Sequence, residues 1–269
     1  MKRFILIFSL AFVTGLAGVA SAQEYKETYN AAIAAAEAGN YADAYNKYEL
    51  AARQAEAEGD TDVAKKAHIV CAKIAKIVGT EAYKAGDFQE ALAEFEKGLK
   101  HEPEYVPNLY MKGLAQKQLG DIDAAMTTLA EVANGRDQKS ARTAAEAIRD
   151  YHHAEASKLA ARDPLSSPDA QQIRSLIASM QEYGQQPDAN SFFYLGIAAK
   201  AQGNYDEAVS FADQAIQVHR GSRADQAKLH FLKGESLMLA GENALAKEAF
   251  TAAAFGSYKA SAEHYLETL

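Results

Sequence analysis

The chain has 269 residues, 48% of them hydrophobic, and its 36 acidic and 28 basic residues give a formal net charge of −8 at pH 7. An excess of carboxylates without a block of Lys or Arg disfavours nucleic acid as a partner, because that binding needs concentrated positive charge. The single cysteine cannot form an internal disulfide. Cys71 lies in an apolar helical pattern, which favours a small buried core residue over a reactive thiol.

The N-terminus has the pattern of a secretory signal peptide. Lys2 and Arg3 precede an apolar run that ends in Ala20-Ser21-Ala22, a small-x-small cleavage pattern. We therefore expect residues 1–22 to be removed and the protein to be exported to the periplasm, with outer-membrane association or secretion as alternatives. An uncleaved membrane anchor is the other interpretation, but the run is short for a span and is interrupted by glycine and hydroxyl residues.

A short phrase recurs along the rest of the chain. It consists of a glycine, in most copies a turn-forming Asp or Asn, and in most copies a large apolar or aromatic residue. Its copies begin at Gly39, Gly86, Gly120, Gly203 and, in degraded form, Gly241. The second and third copies are 34 residues apart. A regular period of this length indicates a repeat architecture in which each unit buries its apolar face by stacking on the next.

The clearest repeat runs from about residue 72 to 105. Before the turn at Gly86, apolar and small residues recur at three- and four-residue steps, as they do on one face of a helix. After the turn, Ala91, Phe95 and Leu99 form the stripe of a second helix. Small residues at Gly79 and Ala91 indicate close approach of the two helices, with Phe95 filling the space around them. A helix–turn–helix is therefore predicted.

These residues resemble the tetratricopeptide repeat family, which places a glycine within the first helix, an alanine early in the second and an aromatic after it. The other units keep parts of this pattern. They do so at Tyr41, Ala44, Tyr48 and Ala51; at Leu109, Gly113, Ala125 and Leu129; at Phe192, Leu195, Gly196, Tyr205, Ala208 and Ala215; and at Gly234, Ala246, Phe250 and Ala253. The resemblance implies an all-α, right-handed superhelical solenoid of stacked hairpins.

Two intervals depart from the period. Residues 39 and 86 are 47 apart, so the second helix of the first unit is either extended through residues 56–62 or broken there. Residues 120 and 203 are 83 apart, which predicts a degenerate hairpin with helices over 138–161 and 168–183, the second capped by Ser167. The expected organisation is a signal peptide (1–22), three units (23–137), an irregular hairpin (138–187) and two further units with a capping helix (188–269).

In a solenoid of this family, residues of the first helices that do not face the core line a concave groove. By that register we expect aromatic and lysine side chains to bind an extended or helical peptide of a partner protein. They are Tyr29, Lys76, Tyr83, Tyr110, Lys117, Phe193, Lys200 and Phe231. The alternative for Tyr110 and Phe193 is sideways packing against the neighbouring repeat.

No catalytic, metal or cofactor site is predicted. Tyr151-His152-His153-Ala154-Glu155 is the one segment with adjacent histidines, and neighbouring positions on a helix point about 100° apart. We expect these histidines to be solvated on a helix surface and the other histidines to be scattered singly. The predicted function is therefore a non-catalytic adaptor of the cell envelope, with a self-assembly module, and thus a homo-oligomer, as the alternative.

Overall fold

The computed structural model describes residues 20–269, with side chains from Glu24 onward, and this part of the chain contains helices and no strand. Thirteen α-helices follow one another between residues 20 and 269. They are α1 (Ala20–Glu37), α2 (Tyr41–Ala57), α3 (Thr61–Ala85), α4 (Phe88–His101), α5 (Val106–Gln118), α6 (Ile122–Ala133), α7 (Gln138–Ala160), α8 (Ser167–Glu182), α9 (Ala189–Ala201), α10 (Tyr205–Val218), α11 (Arg223–Leu239), α12 (Asn243–Ala253) and α13 (Lys259–Thr268). The predicted all-α class and tandem arrangement are confirmed.

The chain divides into two compact units, Met1–Ser140 and Ala141–Leu269. In the first unit, α1 pairs with α2, α3 with α4 and α5 with α6. In the second, α9 pairs with α10 and α11 with α12, while α7 and α8 share an apolar cluster. The finer four-part division expected above stays a prediction. The expected signal peptide lies outside the described residues except for its last three, which begin α1.

The turn glycines have the conformation that the repeated phrase predicts. Gly86 ends α3 with a φ of 89°, in the left-handed region that side chains with a Cβ atom avoid. The other four glycines of the phrase also have positive φ. Each of these turns therefore reverses the chain so that two consecutive helices can pack antiparallel.

Glycines inside the first helices are required by close packing. A Cβ atom built on Gly79 would lie 2.7 Å from Cε1 of Phe95, a side chain that is fully buried. The same relation recurs in the second unit, where a Cβ on Gly234 would lie 2.7 Å from Cε1 of Phe250. The aromatic side chain of the second helix thus rests against bare backbone of the first helix in both units.

The long interval between the first two turns is divided by an additional turn. Of the two alternatives, the break is correct: α2 ends at Ala57 and Gly59 has a φ of 77°. Asp60 then caps α3 by accepting a hydrogen bond from the backbone of Val63, at 3.1 Å. The extra residues mostly lengthen α3, which has 25 residues. Tyr25 of α1 donates its hydroxyl to Asp60, at 2.7 Å, and so joins α1 to the start of α3.

Helices α7 and α8 occupy the interval of the predicted degenerate hairpin, but the predicted cap of α8 is wrong by one residue. Ser166, not Ser167, precedes α8, and its hydroxyl accepts from the backbone of Asp169, at 3.2 Å. A proline is tolerated at either of the first two helical positions, so Pro168 does not identify the cap alone. At the other end, α13 buries Ala262 against α11 and α12. Between residues 20 and 269, no helix is long and apolar enough for a bilayer crossing.

Candidate functional site

The predicted binding residues occupy equivalent positions on the first helices. Lys76, Tyr110, Phe193 and Phe231 each lie three residues before the helix glycine that packs against a buried side chain of the following helices. Tyr83, Lys117 and Lys200 lie seven residues later, about two turns along the same face. All of these side chains are half-buried. They therefore lie beside the core of each unit rather than in it.

In the first unit, two hydrogen bonds fix the alignment of α5 against α3. Asn108 is fully buried and donates its side-chain amide to the carbonyl of Ala72, at 3.0 Å. Near the other end, the side-chain amide of Gln118 donates to the hydroxyl of Tyr83, at 3.4 Å. These contacts join residues 36 and 35 positions apart. Tyr110 therefore lies within about 3 Å of the level of Lys76 along the helices, and Lys117 lies within about 3 Å of the level of Tyr83. We call these four residues the α3–α5 face.

The two lysines of the α3–α5 face have no acidic neighbour of their own. Within residues 20–269, no carboxylate lies within ion-pair distance of the ammonium group of Lys76 or Lys117. By contrast, Lys112 on α5 pairs with Glu96 on α4, at 3.2 Å. The α3–α5 face therefore combines two aromatic rings with two positive charges that the described residues do not neutralise.

The corresponding residues of the second unit are engaged by their own chain. Lys200 of α9 lies 2.5 Å from Glu235 of α11. The ring of Phe193 lies under the ammonium group of Lys228, at 4.8 Å, and that ammonium also donates to Asn190. We call Phe193, Lys200 and Phe231 the α9–α11 face.

Phe231 is enclosed by aromatic rings from the end of the chain. Its ring centroid lies 5.1 Å from that of Tyr258 and 5.9 Å from that of Tyr265. The ring of Phe250 approaches it at 5.6 Å in a T-shaped arrangement. A shallow pocket between α11 and α13 is lined by Phe231, His264 and Tyr265 among others. Phe231 is thus mainly part of the packing that attaches α13.

Tyr29 also has a packing role. Its ring meets that of Tyr48 edge to face, with centroids 5.1 Å apart, and it packs against an apolar cluster that includes Val63 and Ala64. Those two residues belong to the added turns of α3. Burial raises the pKa of the Tyr29 hydroxyl. The added turns of α3 therefore help to bury the side chain of Tyr29.

The expectation of solvated histidines in α7 is wrong. His152 is 2% exposed, and its Nδ1 atom lies 2.8 Å from the carbonyl of Ile148. The Nε2 atom of His153 lies 2.9 Å from the hydroxyl of Ser191. Burial lowers the pKa of both imidazoles. The ring of His152 lies 6.1 Å from that of Tyr183 at the end of α8, and the ring of His153 lies against Ser191 and Tyr194 of α9.

His153, Ser191 and Asp188 contain the residue types of a hydrolase triad but not its geometry. Asp188 caps α9, and its carboxylate accepts from both the backbone and the hydroxyl of Ser191. The same carboxylate lies 3.5 Å from Nε2 of His153, the nitrogen that also meets the serine. In a triad the acid orients the opposite nitrogen, and the hydroxyl is open to substrate. Ser191 is fully buried, so this group is a polar contact between helices.

A second group of polar residues was missed because its histidines were expected to be single. The Nδ1 atoms of His68 and His101 lie 2.8 Å apart. The signal lay in the distance of each histidine from Gly86: they are 18 and 15 residues away on opposite sides of the turn. Antiparallel helices bring such residues together. Cys71 is fully buried nearby, as predicted, and burial raises the pKa of its thiol to about 12.

Within residues 20–269, no three His, Cys, Asp or Glu side chains are arranged to hold a metal ion. The chemistry that the described residues offer at the α3–α5 face is recognition: aromatic contact area and positive charge. Neither property acts on a covalent bond.

Models of the tetratricopeptide repeat match residues 82–148 and 190–222. The first match contains the second helix of the clearest repeat and the two helices after it, and the second contains the α9–α10 hairpin. No curated protein matches the chain.

Solved structures with similar folds include other repeat proteins. MamA from Desulfovibrio magneticus RS-1 is 16% identical, with 73% of this chain and 95% of that chain covered and a TM-score of 0.37. A thermophilic tetratricopeptide repeat protein in Thermus thermophilus is 17% identical, with 73% and 99% covered and a TM-score of 0.33. A tetratricopeptide repeat protein from Parabacteroides merdae ATCC 43184 is 16% identical, with 91% and 98% covered and a TM-score of 0.29. Superpositions this loose do not align individual residues.

The matched segments contain the turn glycines Gly86, Gly120 and Gly203 and the packed helix glycines Gly113 and Gly196. The chain therefore contains tetratricopeptide repeats in residues 82–148 and 190–222.

Proposed function

We propose that the protein is a non-catalytic scaffold that binds an acidic peptide segment of another protein on the α3–α5 face. Proteins built from this repeat are generally non-catalytic scaffolds. The observation that supports this face is the pair of half-buried lysines, Lys76 and Lys117, whose ammonium groups lack a carboxylate partner in residues 20–269 of a chain with net negative charge. A partner's carboxylates supply what the scaffold's own chain does not.

The arrangement of the four residues limits the shape of the partner segment. Seven residues along a helix correspond to about 10 Å, and packed helices lie about 9 Å apart. Lys76 and Lys117 are at diagonal corners, so their Cα atoms are separated by about 14 Å. An extended peptide covers that distance in about four residues. We therefore expect two acidic residues at about this spacing, with apolar side chains between them for Tyr83 and Tyr110.

A phage-displayed library of random peptides tests this proposal on the full chain. We expect selection to enrich peptides with two spaced carboxylates. Binding of those peptides should fall at least about tenfold in a variant with Lys76→Glu and Lys117→Glu, because attraction becomes repulsion at both corners. The matched control is Lys247→Glu, an exposed lysine of α12 in the second unit, which should bind as the original protein does.

The proposal is overturned if the enriched peptides bind the doubly charge-reversed variant as well as they bind the control. Circular dichroism should show the same helix content in both variants, so that a loss of binding is not a loss of folding. Light scattering on the original protein then addresses self-assembly. A concentration-dependent mass that disappears in the charge-reversed variant would mean that the face binds another copy of the chain.

We further propose that this scaffold acts after export, in the periplasm. Support comes from the basic start, the apolar run and the small residues at 20–22 of the sequence. Cell fractionation with N-terminal sequencing of the recovered protein tests this location. A mature chain that starts at Gln23 in the periplasmic fraction is expected. A cytoplasmic protein with an intact N-terminus would contradict this location. Recovery from the outer membrane or the medium would mean that the scaffold acts there and not in the periplasm.

A further inference from the structure

Four side chains from three helices of the first unit form a continuous row of hydrogen bonds. The Tyr45 hydroxyl lies 2.6 Å from Nε2 of His101. Nδ1 of His101 lies 2.8 Å from Nδ1 of His68, whose Nε2 lies 2.9 Å from a carboxylate oxygen of Glu56. Tyr45 and Glu56 belong to α2, His68 to α3 and His101 to the last position of α4. Glu56 and His68 flank the additional turn at Gly59.

The hydrogen positions follow from the ends of the row. The Glu56 carboxylate only accepts, so Nε2 of His68 carries a proton. A neutral His68 then has a bare Nδ1, which requires Nδ1 of His101 to donate. A neutral His101 in turn has a bare Nε2, which accepts from the Tyr45 hydroxyl. Every bond therefore points the same way, from Tyr45 through His101 and His68 to Glu56.

This row has room for one additional proton but not for two. If His68 gains a proton at Nδ1, His101 can move its own proton to Nε2 and accept from His68, so the central bond survives with reversed direction. A second proton places an N–H on both Nδ1 atoms, 2.8 Å apart, where neither can accept. The two positive imidazoles also repel each other at that distance.

Other charges around the row do not remove this conflict. The groups that face it from the packed helices include carboxylates, which favour a first proton, and cations, which oppose a second. They are Glu49, Arg53 and Glu56 of α2, Glu94 and Lys97 of α4, and the thiol of Cys71 of α3. The ammonium of Lys97 lies 3.9 Å from the centre of the Tyr45 ring. Arg53 is already paired with Glu49, at 2.9 Å, which leaves less of that carboxylate for His101.

We propose that Tyr45, His101, His68 and Glu56 form an acid-sensitive latch. The latch holds the end of α4 to the hairpin of α2 and the added turns of α3 while the two histidines carry at most one extra proton. It opens when both imidazoles are positive. The residues added between the turns at Gly39 and Gly86 are then attached to α4 in a pH-dependent way.

The direction of the pH dependence agrees with the burial of His101. Desolvation, followed by the charge of His68, lowers the pKa of His101 below its ordinary value of 6.5. A group with a lowered pKa in the folded protein contributes stability above its unfolded pKa. That stability is lost as the pH falls below about 6.5 towards the folded value. The latch is therefore closed at neutral pH and opens on acidification.

Nuclear magnetic resonance of the full chain with ¹⁵N-labelled histidine tests the latch. At pH 7.5 we expect Nδ1 of His101 and Nε2 of His68 to carry protons, with a scalar coupling between the two Nδ1 nuclei through the hydrogen bond. On acidification the coupling should disappear as His101 gains a second proton. Burial lowers the pKa of His101, so this loss should occur below the ordinary value of 6.5. Titration of the His101 ring at an ordinary histidine pKa, without a coupling at neutral pH, would overturn the proposal.

Amide hydrogen exchange provides the conformational readout. Protection of residues 56–70 and 97–102 should fall by about tenfold per pH unit as His101 gains its second proton, as expected for opening linked to one proton. His68→Gln removes the positive charge and the competing N–H beside His101, so this acid-dependent loss should weaken in that variant and keep only the part that burial of His101 causes. His264→Gln, at an exposed position of α13, should retain it. An unchanged loss of protection in His68→Gln would overturn the latch.

Discussion

The α3–α5 face of the first unit and the α9–α11 face of the second occupy the same positions of the repeat, but they differ in their internal partners. Lys200 is paired with Glu235, and Phe231 is enclosed by Tyr258 and Tyr265. Lys76 and Lys117 have no such carboxylate within residues 20–269. Repeat register therefore identifies which residues lie on the face. Whether they are available to a partner depends on what the neighbouring helices contribute.

Both faces rest on the same internal contact, and removing it should have the largest effect. Phe95 and Phe250 are fully buried against the bare backbone of Gly79 and Gly234. We expect Phe95→Ala to lower the free energy of unfolding by about 3–5 kcal/mol, since it leaves a cavity under the α3–α5 face. Urea unfolding followed by circular dichroism measures this change.

Phe250→Ala is the matched substitution in the second unit. Its ring also stacks on Tyr265, with centroids 4.7 Å apart, so its loss should additionally release α13. Leu119→Ala, at an exposed position following α5, is the control and should change the free energy by less than about 0.5 kcal/mol. Losses under about 1 kcal/mol for both phenylalanines would show that these contacts do not support the two faces.

The two compact units differ in how the aspartate at a helix N-terminus is held. We expect this difference to have an intermediate effect on stability. Asp60 of α3 is held by the hydroxyl of Tyr25, whereas Asp225 of α11 belongs to a capping box with Ser222. The Tyr25 hydrogen bond is the largest cause of the lowered pKa of Asp60. We expect Tyr25→Phe to cost about 1 kcal/mol at pH 7. Urea unfolding at several pH values measures it.

The pH dependence of that loss has a definite sign. A carboxyl whose pKa is lowered in the folded protein contributes stability above its pKa in the unfolded chain, about 3.9. That stability is lost as the pH falls through the pKa of the folded state. The difference between Tyr25→Phe and the original protein should therefore shrink in strong acid. An equal difference at pH 7 and pH 3 would mean that Tyr25 acts through packing alone.

The smallest expected effect on stability comes from a change that makes the second face resemble the first. Glu235→Gln removes the carboxylate partner of Lys200 but keeps its size. The pair is partly exposed, so the free energy of unfolding should change by less than about 1 kcal/mol. The freed ammonium should increase binding of the acidic peptides selected on the original protein. No gain in binding would show that the internal pair is not what occupies this face.

The hairpins could be predicted from sequence because their requirements are local. A left-handed turn such as Gly86 and a bare helix backbone such as Gly79 each select glycine, and the period then repeats both. The break at Gly59 was one of two open alternatives, because the interval length fixes how many residues are added but not where the helix ends. The structure resolves the choice because Asp60 caps a new helix, α3, directly after this turn.

The histidine contacts could not be predicted in the same way. Helical periodicity gives the face on which a side chain lies, whereas its partner depends on the alignment of two helices. His153 meets Ser191 because α7 is longer than a helix of an ordinary repeat. His68 meets His101 because the added turns of α3 extend alongside the end of α4. In both places a departure from the repeat length created the contact.

Site-specific photocrosslinking in cells tests the central claim most directly. A photoreactive phenylalanine analogue at position 110 of the α3–α5 face is compared with the same analogue at position 193 of the α9–α11 face. We predict that position 110 crosslinks to an acidic segment of another protein and that Lys76→Glu abolishes this product, while position 193 gives no such product. A crosslink at position 193 alone, or one at position 110 that survives Lys76→Glu, would contradict the account.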